Sequence, residues 1–432
     1  MKKLLSALAL GLCLSAAYSQ PTPQAPAVAQ SVWQLAAAQQ PKLLETLKTL
    51  VEIESGSANR KGLDKLSQLI ADRLKAMGGE VQFIEPNLAD LYRMEDTPEK
   101  PEAIGRAVQA TFKGTGQQRI LLIAHMDTVY PEGSLAQQPW RVEADRAYGL
   151  GIGDDKQGVA VILHTVDMLQ TLKFNTYGTL TVLINGDEEI SSPASRNWLA
   201  RAGAAHDLVM SFEGSRVDSD KIALATSGIG MAALTVRGRA SHAGGAPERG
   251  VNALYELSHQ LLQLRDLSVP ARGVKLNWTM SRAGVVRNMI PPGAQAWADV
   301  RLLQVSDLAD LERRINERVK NKLLPESEVS VQLENRRPPL EATAASRKLA
   351  AHAKTIYAEI GRTLVVDEQP EGGGTDAAFA ALQTKAPVVE RFGLASFGAH
   401  SSNSEYVLIS TIQPRLYLAT RVIMDAAMGK GL

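Results

Sequence analysis

The chain has 432 residues, enough for two domains with sizeable cores. Hydrophobic residues make up 45% and charged residues 22% of it, which is typical of a soluble globular protein. The formal net charge of +1 excludes a strongly basic chain, so nothing in the composition favours a nucleic-acid partner.

The N-terminal residues have the pattern of a secretory signal peptide. Lys2 and Lys3 precede an apolar run over residues 4–17, and Ala17-Tyr18-Ser19 resembles a cleavage site between small residues. We therefore predict a signal peptide over residues 1–19 and an exported protein, periplasmic or secreted. The run is short for a membrane span, so an uncleaved anchoring helix is the less favoured alternative.

The only cysteine, Cys13, lies inside this predicted signal peptide. The mature chain would then have no disulfide, and its metal ligands would be histidines and carboxylates. No second segment is long and apolar enough to predict a membrane span in the mature chain.

The next segments predict a leader and then an α/β domain. Residues 20–40, rich in Ala, Pro and Gln, predict a loose leader. Residues 41–220 predict the first part of an α/β domain with a mainly parallel sheet and helices on both faces. The predicted helices cover residues 41–50, 63–77, 159–171 and 195–202. The predicted buried strands cover residues 119–124, 180–185, 207–211 and, in a later segment, 387–392.

Residues 221–335 have a different pattern and predict a second, inserted domain. The predicted order is strand, helix, strand, strand, helix, strand, which is typical of a small ferredoxin-like α+β sandwich. The assigned segments are strands at 232–238, 275–281 and 295–302 and helices at 251–265 and 307–322. Arg336-Arg337-Pro338-Pro339 predicts a hinge back to the first domain, which residues 336–432 complete.

Histidines and acids follow the predicted strands, at the edge where open α/β sheets place their active sites. His125 could bind a metal ion, with Asp127 behind it to orient the ring. Each such residue also has an ordinary explanation, such as a helix cap, a solvated acidic loop or a structural histidine. Together, two histidines and three carboxylates favour a two-zinc site without thiolates. The candidates are His125, Asp127, Asp154, Asp187, Glu188, Glu189, Glu213 and His400.

The chain resembles the zinc aminoacylase/carboxypeptidase family of metallopeptidases, and within it the bacterial glutamate carboxypeptidases of the carboxypeptidase G type. The resemblance covers nearly the whole mature chain. The matching motifs are His125-Met-Asp127-Thr-Val, Gly153-Asp154-Asp155-Lys156, Asp187-Glu188-Glu189, Ser211-Phe212-Glu213, Gly372-Gly373-Gly374-Thr375-Asp376 and His400.

The resemblance implies a role for each residue of the site. Glu188 would be the general base, a role that the residues alone do not assign to Glu188 rather than Glu189. Asp127 would orient His125. The ligands of two zinc ions would be His125 with Glu213, Glu189 with His400, and Asp154 as the bridge.

The resemblance also implies that the small domain is a lid and the surface of a homodimer. His242, in Ser241-His242-Ala243-Gly244, would reach a neighbouring active site and polarise the scissile carbonyl. Asn288 and Arg301 would hold the substrate carboxylate. The substrate loop would include Gly373, Gly374 and Thr375. The alternatives are that His242 is a structural hairpin histidine, that Arg301 is a surface arginine and that the loop is only flexible.

The sequence departs from the family pattern in two places. The acidic motif usually continues with Gly and Ser, but here Glu189 is followed by Ile190 and Ser191, so we expect a different turn. Gln157 stands where glycine is common. Neither change removes a predicted ligand or the predicted base.

These patterns predict a zinc-dependent exopeptidase that hydrolyses the amide bond before a C-terminal residue, glutamate of a folate-like or N-acyl substrate being favoured. A dipeptidase and an N-acyl amino acid deacylase remain the nearest alternatives. A periplasmic binding protein is the alternative of another class, and the predicted general base argues against it.

Overall fold

A computed structural model describes residues 27–95, 97–98, 100–401 and 404–432. The predicted signal peptide lies outside the described residues. The helices in the described part are α1 (Ala27–Val51), α2 (Arg60–Ala76), α3 (Gln157–Thr171), α4 (Arg196–Ala205), α5 (Ala253–Leu264), α6 (Ser306–Arg318), α7 (Ala344–Ala358), α8 (Ala377–Ala381) and α9 (Ile412–Ala427). Of these, none is long and apolar enough to cross a membrane.

The strands of the same described residues form a six-stranded and a five-stranded sheet in the large domain, a four-stranded sheet in the small domain, and two two-stranded sheets. They are β1 (Glu80–Ile84), β2 (Gly105–Lys113), β3 (Arg119–His125), β4 (Arg141–Glu143), β5 (Arg146–Tyr148), β6 (Thr179–Gly186), β7 (Leu208–Ser211), β8 (Ser215–Arg216), β9 (Lys221–Ala223), β10 (Gly228–Arg237), β11 (Ser241–His242), β12 (Lys275–Ala283), β13 (Met289–Ile290), β14 (Gly293–Leu302), β15 (Glu328–Arg337), β16 (Val365–Asp367), β17 (Val388–Val389), β18 (Ala395–Phe397) and β19 (Tyr406–Leu408).

The large domain is built on a six-stranded sheet of order β1-β2-β6-β3-β7-β17. The four strands from β6 to β17 are parallel, and β1 and β2 add an antiparallel edge. The predicted α/β class, with a mainly parallel sheet, is confirmed. The carboxyl ends of the parallel strands therefore meet at one edge.

Helices cover both faces of this sheet. In β3, Ile120 and Leu122 point into one core, which also contains residues of α1, α3 and α9. Leu121 and Ile123 point into the other core, with residues of α4 and α8. Burial on both faces explains why β3 is an unbroken apolar run, since each such side chain contributes about 1.5–3 kcal/mol.

The small domain is an antiparallel sheet of order β12-β14-β10-β15, with α5 and α6 packed on one face. Its chain order is β10-α5-β12-β14-α6-β15, the predicted ferredoxin-like arrangement. Its regular elements begin at Gly228 rather than at residue 221, because β9 pairs with β16 in the large domain. The connection back to the large domain begins after Arg337, later than the predicted hinge, because Arg336 and Arg337 still belong to β15.

Two predicted segments differ from the structure. The prediction of a loose leader is wrong for residues 27–40, which form the first half of α1, with Pro41 inside the helix. Packing of its buried face against the core stabilises this stretch as a helix and outweighs the interruption by one proline. The strand predicted over residues 387–392 is shorter, because only Val388 and Val389 pair with β7.

The first half of α1 is a part of the core. Val32 and Ala36 are fully buried, and the Trp33 ring meets the Tyr417 ring of α9 edge-on, with centroids 5.8 Å apart. The N-terminal helix therefore closes the core against the C-terminal helix.

Replacing Trp33 by alanine should lower the free energy of unfolding by about 3 kcal/mol, because it removes a buried aromatic ring and leaves a cavity. Chemical denaturation measures this change. The exposed neighbour Gln34 is the control, and its alanine variant should differ from the parent protein by less than about 0.5 kcal/mol. A loss for Trp33→Ala as small as that would mean that α1 does not contribute to the core.

Candidate metal centre

His125 ends β3 at the carboxyl edge of the large sheet, where it is buried. Its Nε2 lies 3.0 Å from Oδ1 of Asp154 and 3.5 Å from Oε1 of Glu213, the acid that follows β7. Burial lowers the pKa of His125, but the charge of Glu213 and the neighbouring carboxylates outweigh it and raise that pKa. These three side chains form the first group of possible ligands.

His400 completes a second group on the other side of Asp154. Its Nε2 lies 3.2 Å from Oδ2 of Asp154 and 3.1 Å from Oε2 of Glu189. Hydrogen bonds to these two carboxylates raise the pKa of His400 to about 11. Asp154 is thus shared by both groups, one oxygen towards each histidine, which is the arrangement expected of a bridging ligand.

The chemistry of these donors fits a pair of zinc ions, since zinc binds imidazole nitrogen and carboxylate oxygen. In each group the ligand atoms lie within 4.8 Å of one another. Among the described residues, Oε1 of Glu189 is buried without a hydrogen-bond partner. Burial, and then the charge of Asp154, raises the pKa of Glu189 to about 7. Such crowded carboxylates are costly unless cations compensate their charge.

The three consecutive acids after β6 take separate directions. Asp187 turns away from the site and accepts hydrogen bonds from the amides of Ala194 and Ser195, at the start of α4. Glu189 joins the second ligand group, whereas Glu188 belongs to neither and its carboxylate contacts the Arg337 guanidinium. Burial raises the pKa of Glu188 well above its usual value, although Arg337 opposes this.

Asp127 fixes the turn that carries these acids. Its carboxylate accepts hydrogen bonds from the amides of Glu188 and Glu189, both at 3.0 Å. The Nδ1 of His125 lies 3.1 Å from the Asp127 main-chain oxygen and 3.4 Å from its carboxylate. Asp127 is therefore placed to orient both the histidine and the acidic turn.

Sequence reasoning missed two residues of the site. Arg337 was assigned to a hinge, although its side chain is buried against Glu188 and Asp376. The role of Glu405 was also missed, and its position five residues after His400 was the only signal. Its buried carboxylate accepts hydrogen bonds from the amides of the turn that carries Asp154, at 3.1 Å from Gly151, 2.7 Å from Gly153 and 3.0 Å from Asp154.

Both departures from the family pattern have a local structural role. Gln157 fills the space that a glycine would leave, and its amide donates to Asp155 at 2.6 Å and to the Phe212 carbonyl at 2.9 Å. The turn after Glu189 has both Ser191 and Ser192 at positive φ, 68° and 53°. Ser192 then donates to Asp376, which links this turn to the segment that follows the glycine-rich loop.

The structure brings only some of the predicted substrate residues next to the metal centre. Arg301 donates to the Gly372 carbonyl at 3.1 Å, and Thr375 is held by Glu390 at 2.8 Å. His242 and Asn288 are exposed and lie together at the two-stranded β11–β13 sheet of the small domain. In the described part of the chain, no hydrogen bond or ion pair joins His242 to the metal-ligand residues; its Nδ1 accepts from two glycine amides. The remaining loop residues, Gly373 and Gly374, lie between the two domains.

Comparisons with known proteins agree with this architecture. The sequence profile of Peptidase family M20/M25/M40 matches residues 121–425. Carboxypeptidase G2 of Pseudomonas sp. (strain RS-16) is 41% identical over 399 residues, 92% of each chain. Succinyl-diaminopimelate desuccinylase of Gluconobacter oxydans is 27% identical over 325 residues, 71% of this chain and 81% of that protein. Among solved structures, aminopeptidase PepT of Bacillus cereus has a TM-score of 0.71 at 20% identity, over 90% of this chain and 99% of that chain, a likeness of fold.

Replacing Glu405 by glutamine should weaken metal binding by about 10- to 100-fold, because glutamine keeps only one acceptor oxygen and turns an NH2 group towards the remaining amides of the turn that carries Asp154. Zinc affinity, measured by competition with a chelator, and thermal unfolding would be recorded together. Glu54→Gln is the matched control, since Glu54 accepts two backbone amides, of Gly133 and Leu135, in a loop without metal ligands. Equal zinc affinity in both variants would contradict the role given to Glu405.

Proposed function

This chain belongs to peptidase family M20/M25/M40, and on that premise we propose that it is a zinc-dependent metallo-carboxypeptidase that releases C-terminal glutamate from folate-like or N-acyl substrates. One observation carries the proposal: Asp154 lies between two groups of possible ligands, with Glu188 beside them but in neither. The 41% identity to Carboxypeptidase G2 supports the same reaction class.

In this mechanism the residues that would hold two zinc ions are His125, Glu213, Asp154, Glu189 and His400. The metal would supply a lowered pKa for a water molecule and polarisation of the substrate carbonyl. The proton transfers fall to a residue of the protein, because Glu188, an acid, lies next to the ligands.

Glu188 is the general base in this proposal. It takes a proton from the attacking water and returns it to the leaving nitrogen. Arg337 holds the Glu188 carboxylate in place from the small-domain side. Arg301, which donates to the Gly372 carbonyl, binds the carboxylate of the released residue through its planar guanidinium, with Asn288 on the same domain.

We also propose that the protein is exported. Support comes from Lys2, Lys3 and the apolar run over residues 4–17, followed by the small residues near Ser19.

The chain is further proposed to act as a homodimer through the small domain. On α5, Leu254, Tyr255 and Leu262 are 42%, 62% and 63% exposed, an apolar face that a second copy would cover. His242 is exposed and makes no contact with its own ligand residues among those described. A contribution of His242 to the partner's active site is consistent with that position.

The function is tested by hydrolysis of N-acyl glutamates, N-acyl derivatives of other amino acids and free dipeptides. We expect glutamate release that is lost on chelation and restored by zinc. A preference for dipeptides, or for short acyl groups on other residues, would instead support a dipeptidase or a deacylase. Stoichiometric zinc without any hydrolysis would support a binding protein.

The Glu188→Gln variant completes this test. Its kcat should fall by about 10²–10⁴-fold, the usual contribution of a general base, while its zinc content stays unchanged. Glu143→Gln is the matched control on the exposed strand β4 and should keep full activity. Near-normal turnover by Glu188→Gln would reject the assigned base.

The dimer proposal predicts complementation between two inactive variants. When His242→Ala and Glu188→Gln chains are mixed and reassembled, half of the dimers are mixed and each has one intact site, so about a quarter of parental activity should return. A mixture of Glu188→Gln with the double variant should stay inactive. If tagged chains prove that mixed dimers form and no activity returns, His242 does not act across the interface.

A further inference from the structure

Arg196, the first residue of α4, is a buried arginine whose partners come from both domains. In the acidic turn, its guanidinium donates to the carbonyls of Ser191, at 2.6 Å, and Ser192, at 3.4 Å. Near the end of β15, it donates to the carbonyls of Asn335, at 3.1 Å, and Arg336, at 2.6 Å. One side chain therefore joins the acidic turn of the large domain to a strand of the small domain.

This environment is unusual for a buried cation. In the described part of the chain, the oxygen atoms that accept from Arg196 are all main-chain carbonyls. The rings of Tyr92 and Phe379 lie over the guanidinium, with centroids 3.9 and 4.7 Å from its central carbon. Burial lowers the pKa of Arg196 to about 10, since a buried charge is costly. We expect such a cation only where the segments that it joins must be held together.

On the large-domain side, the guanidinium compensates for strain in the acidic turn. Ser191 and Ser192 both have φ in the left-handed region, which residues other than glycine adopt at a cost. Their carbonyls are the two that Arg196 binds in this turn. The Ser191 amide also donates to the Glu188 carbonyl at 2.8 Å. A change in the backbone of this turn would therefore move Glu188.

On the small-domain side, Arg196 binds the carbonyls of a β-bulge. Asn335 and Arg337 pair with consecutive residues of β10, so Arg336 is the inserted residue. A bulge bends its strand and redirects a neighbouring side chain. The next side chain is that of Arg337, which contacts the Glu188 carboxylate and donates to the Glu188 carbonyl at 2.6 Å. Both segments bound by Arg196 thus lead to Glu188.

We propose that Arg196 is a positioning residue, which fixes the acidic turn against the bulge of β15 and so holds Arg337 in contact with Glu188. The inference rests on the proposed function, in which Glu188 is the general base. Arg196 acts through Arg337, because Arg337 directly follows the two residues whose carbonyls Arg196 binds. Geometry of this kind matters to a rate, since a misplacement of about 1 Å costs about 100-fold.

The test compares the steady-state kinetics of Arg196→Lys and the parental enzyme on N-benzoylglutamate. Lysine keeps the positive charge, but its single ammonium group cannot span carbonyls of two separate segments. We expect kcat to fall about 10- to 100-fold, while KM stays within about twofold and the zinc content is unchanged. A fall in kcat of less than about twofold, or a loss that lies in KM alone, would overturn the proposal.

The variant Arg337→Met shows whether Arg196 acts through Arg337. This variant alone should lower kcat. Adding Arg196→Lys to it should lower kcat by less than about a further twofold, because two residues that act on one group are not additive. Losses that multiply in the double variant would mean that Arg196 affects the enzyme independently of Arg337. That result, or an unchanged kcat in Arg337→Met alone, would reject the inference.

Arg201→Met is the matched control. Arg201 lies on the same helix, stacks on Trp198 and pairs with Asp90, but its side chain is 51% exposed. Its replacement should leave kcat and KM within about twofold. A fall in kcat as large as that of Arg196→Lys would mean that any arginine lost from α4 has this effect, and would contradict the specific role of Arg196.

Tyr92→Leu keeps the proposal testable if thermal unfolding shows that Arg196→Lys does not fold. It removes one of the two rings over the guanidinium and leaves Arg196 in place. Its kcat should fall roughly threefold in the parental background and remain unchanged in Arg337→Met. An equal fall in both backgrounds would count against the role of Arg196. If the parental enzyme hydrolyses no acyl amino acid or dipeptide, the proposed function itself fails, and the role of Arg196 fails with it.

Discussion

Negative charge gathered at one buried edge of the sheet is the constraint on which the rest of the structure depends. Asp154, Glu189 and Glu213 each lie within 3.5 Å of a ring nitrogen of His125 or His400. Burial and mutual repulsion both oppose ionised carboxylates in such a place, so the site is stable only with added positive charge. Bound metal supplies that charge, which links metal binding to the integrity of this edge.

The buried acids around the ligands are stabilised in another way, by hydrogen bonds instead of cations. Asp127 and Glu405 are almost completely buried, yet they are satisfied mainly by backbone amides. Because amides carry no net charge, they stabilise these carboxylates without competing for the position of a metal ion. Arg337 is the exception, because it brings a full positive charge from the small domain to Glu188. The position of the small domain therefore affects the charge around the Glu188 carboxylate.

The general architecture could be predicted because its signals are local. The apolar run of β3 and the acids after β6 and β7 are visible in the sequence, and parallel strands must end at a common edge. The five proposed ligands could therefore be named, and the structure brings them together. The contacts of Arg337 and Glu405 could not be predicted, because they join segments 149 and about 250 residues apart, and no local pattern encodes such pairs. The start of α1 was missed for a related reason: an alanine-rich stretch is a helix only where a partner such as Tyr417 covers it.

The packing of α1 on α9 has a consequence for the order in which the chain can fold. The regular elements of the small domain form one continuous stretch, Gly228 to Arg337, so its contacts join residues at moderate distances along the chain. The large domain instead needs Trp33 and Tyr417, which are separated by nearly the whole chain, to meet in one core. Such distant contacts are slow to form, and during synthesis they cannot form before the last helix has been made. The small domain can thus be complete while the large one still waits for its final segment, and the metal-binding edge is assembled last.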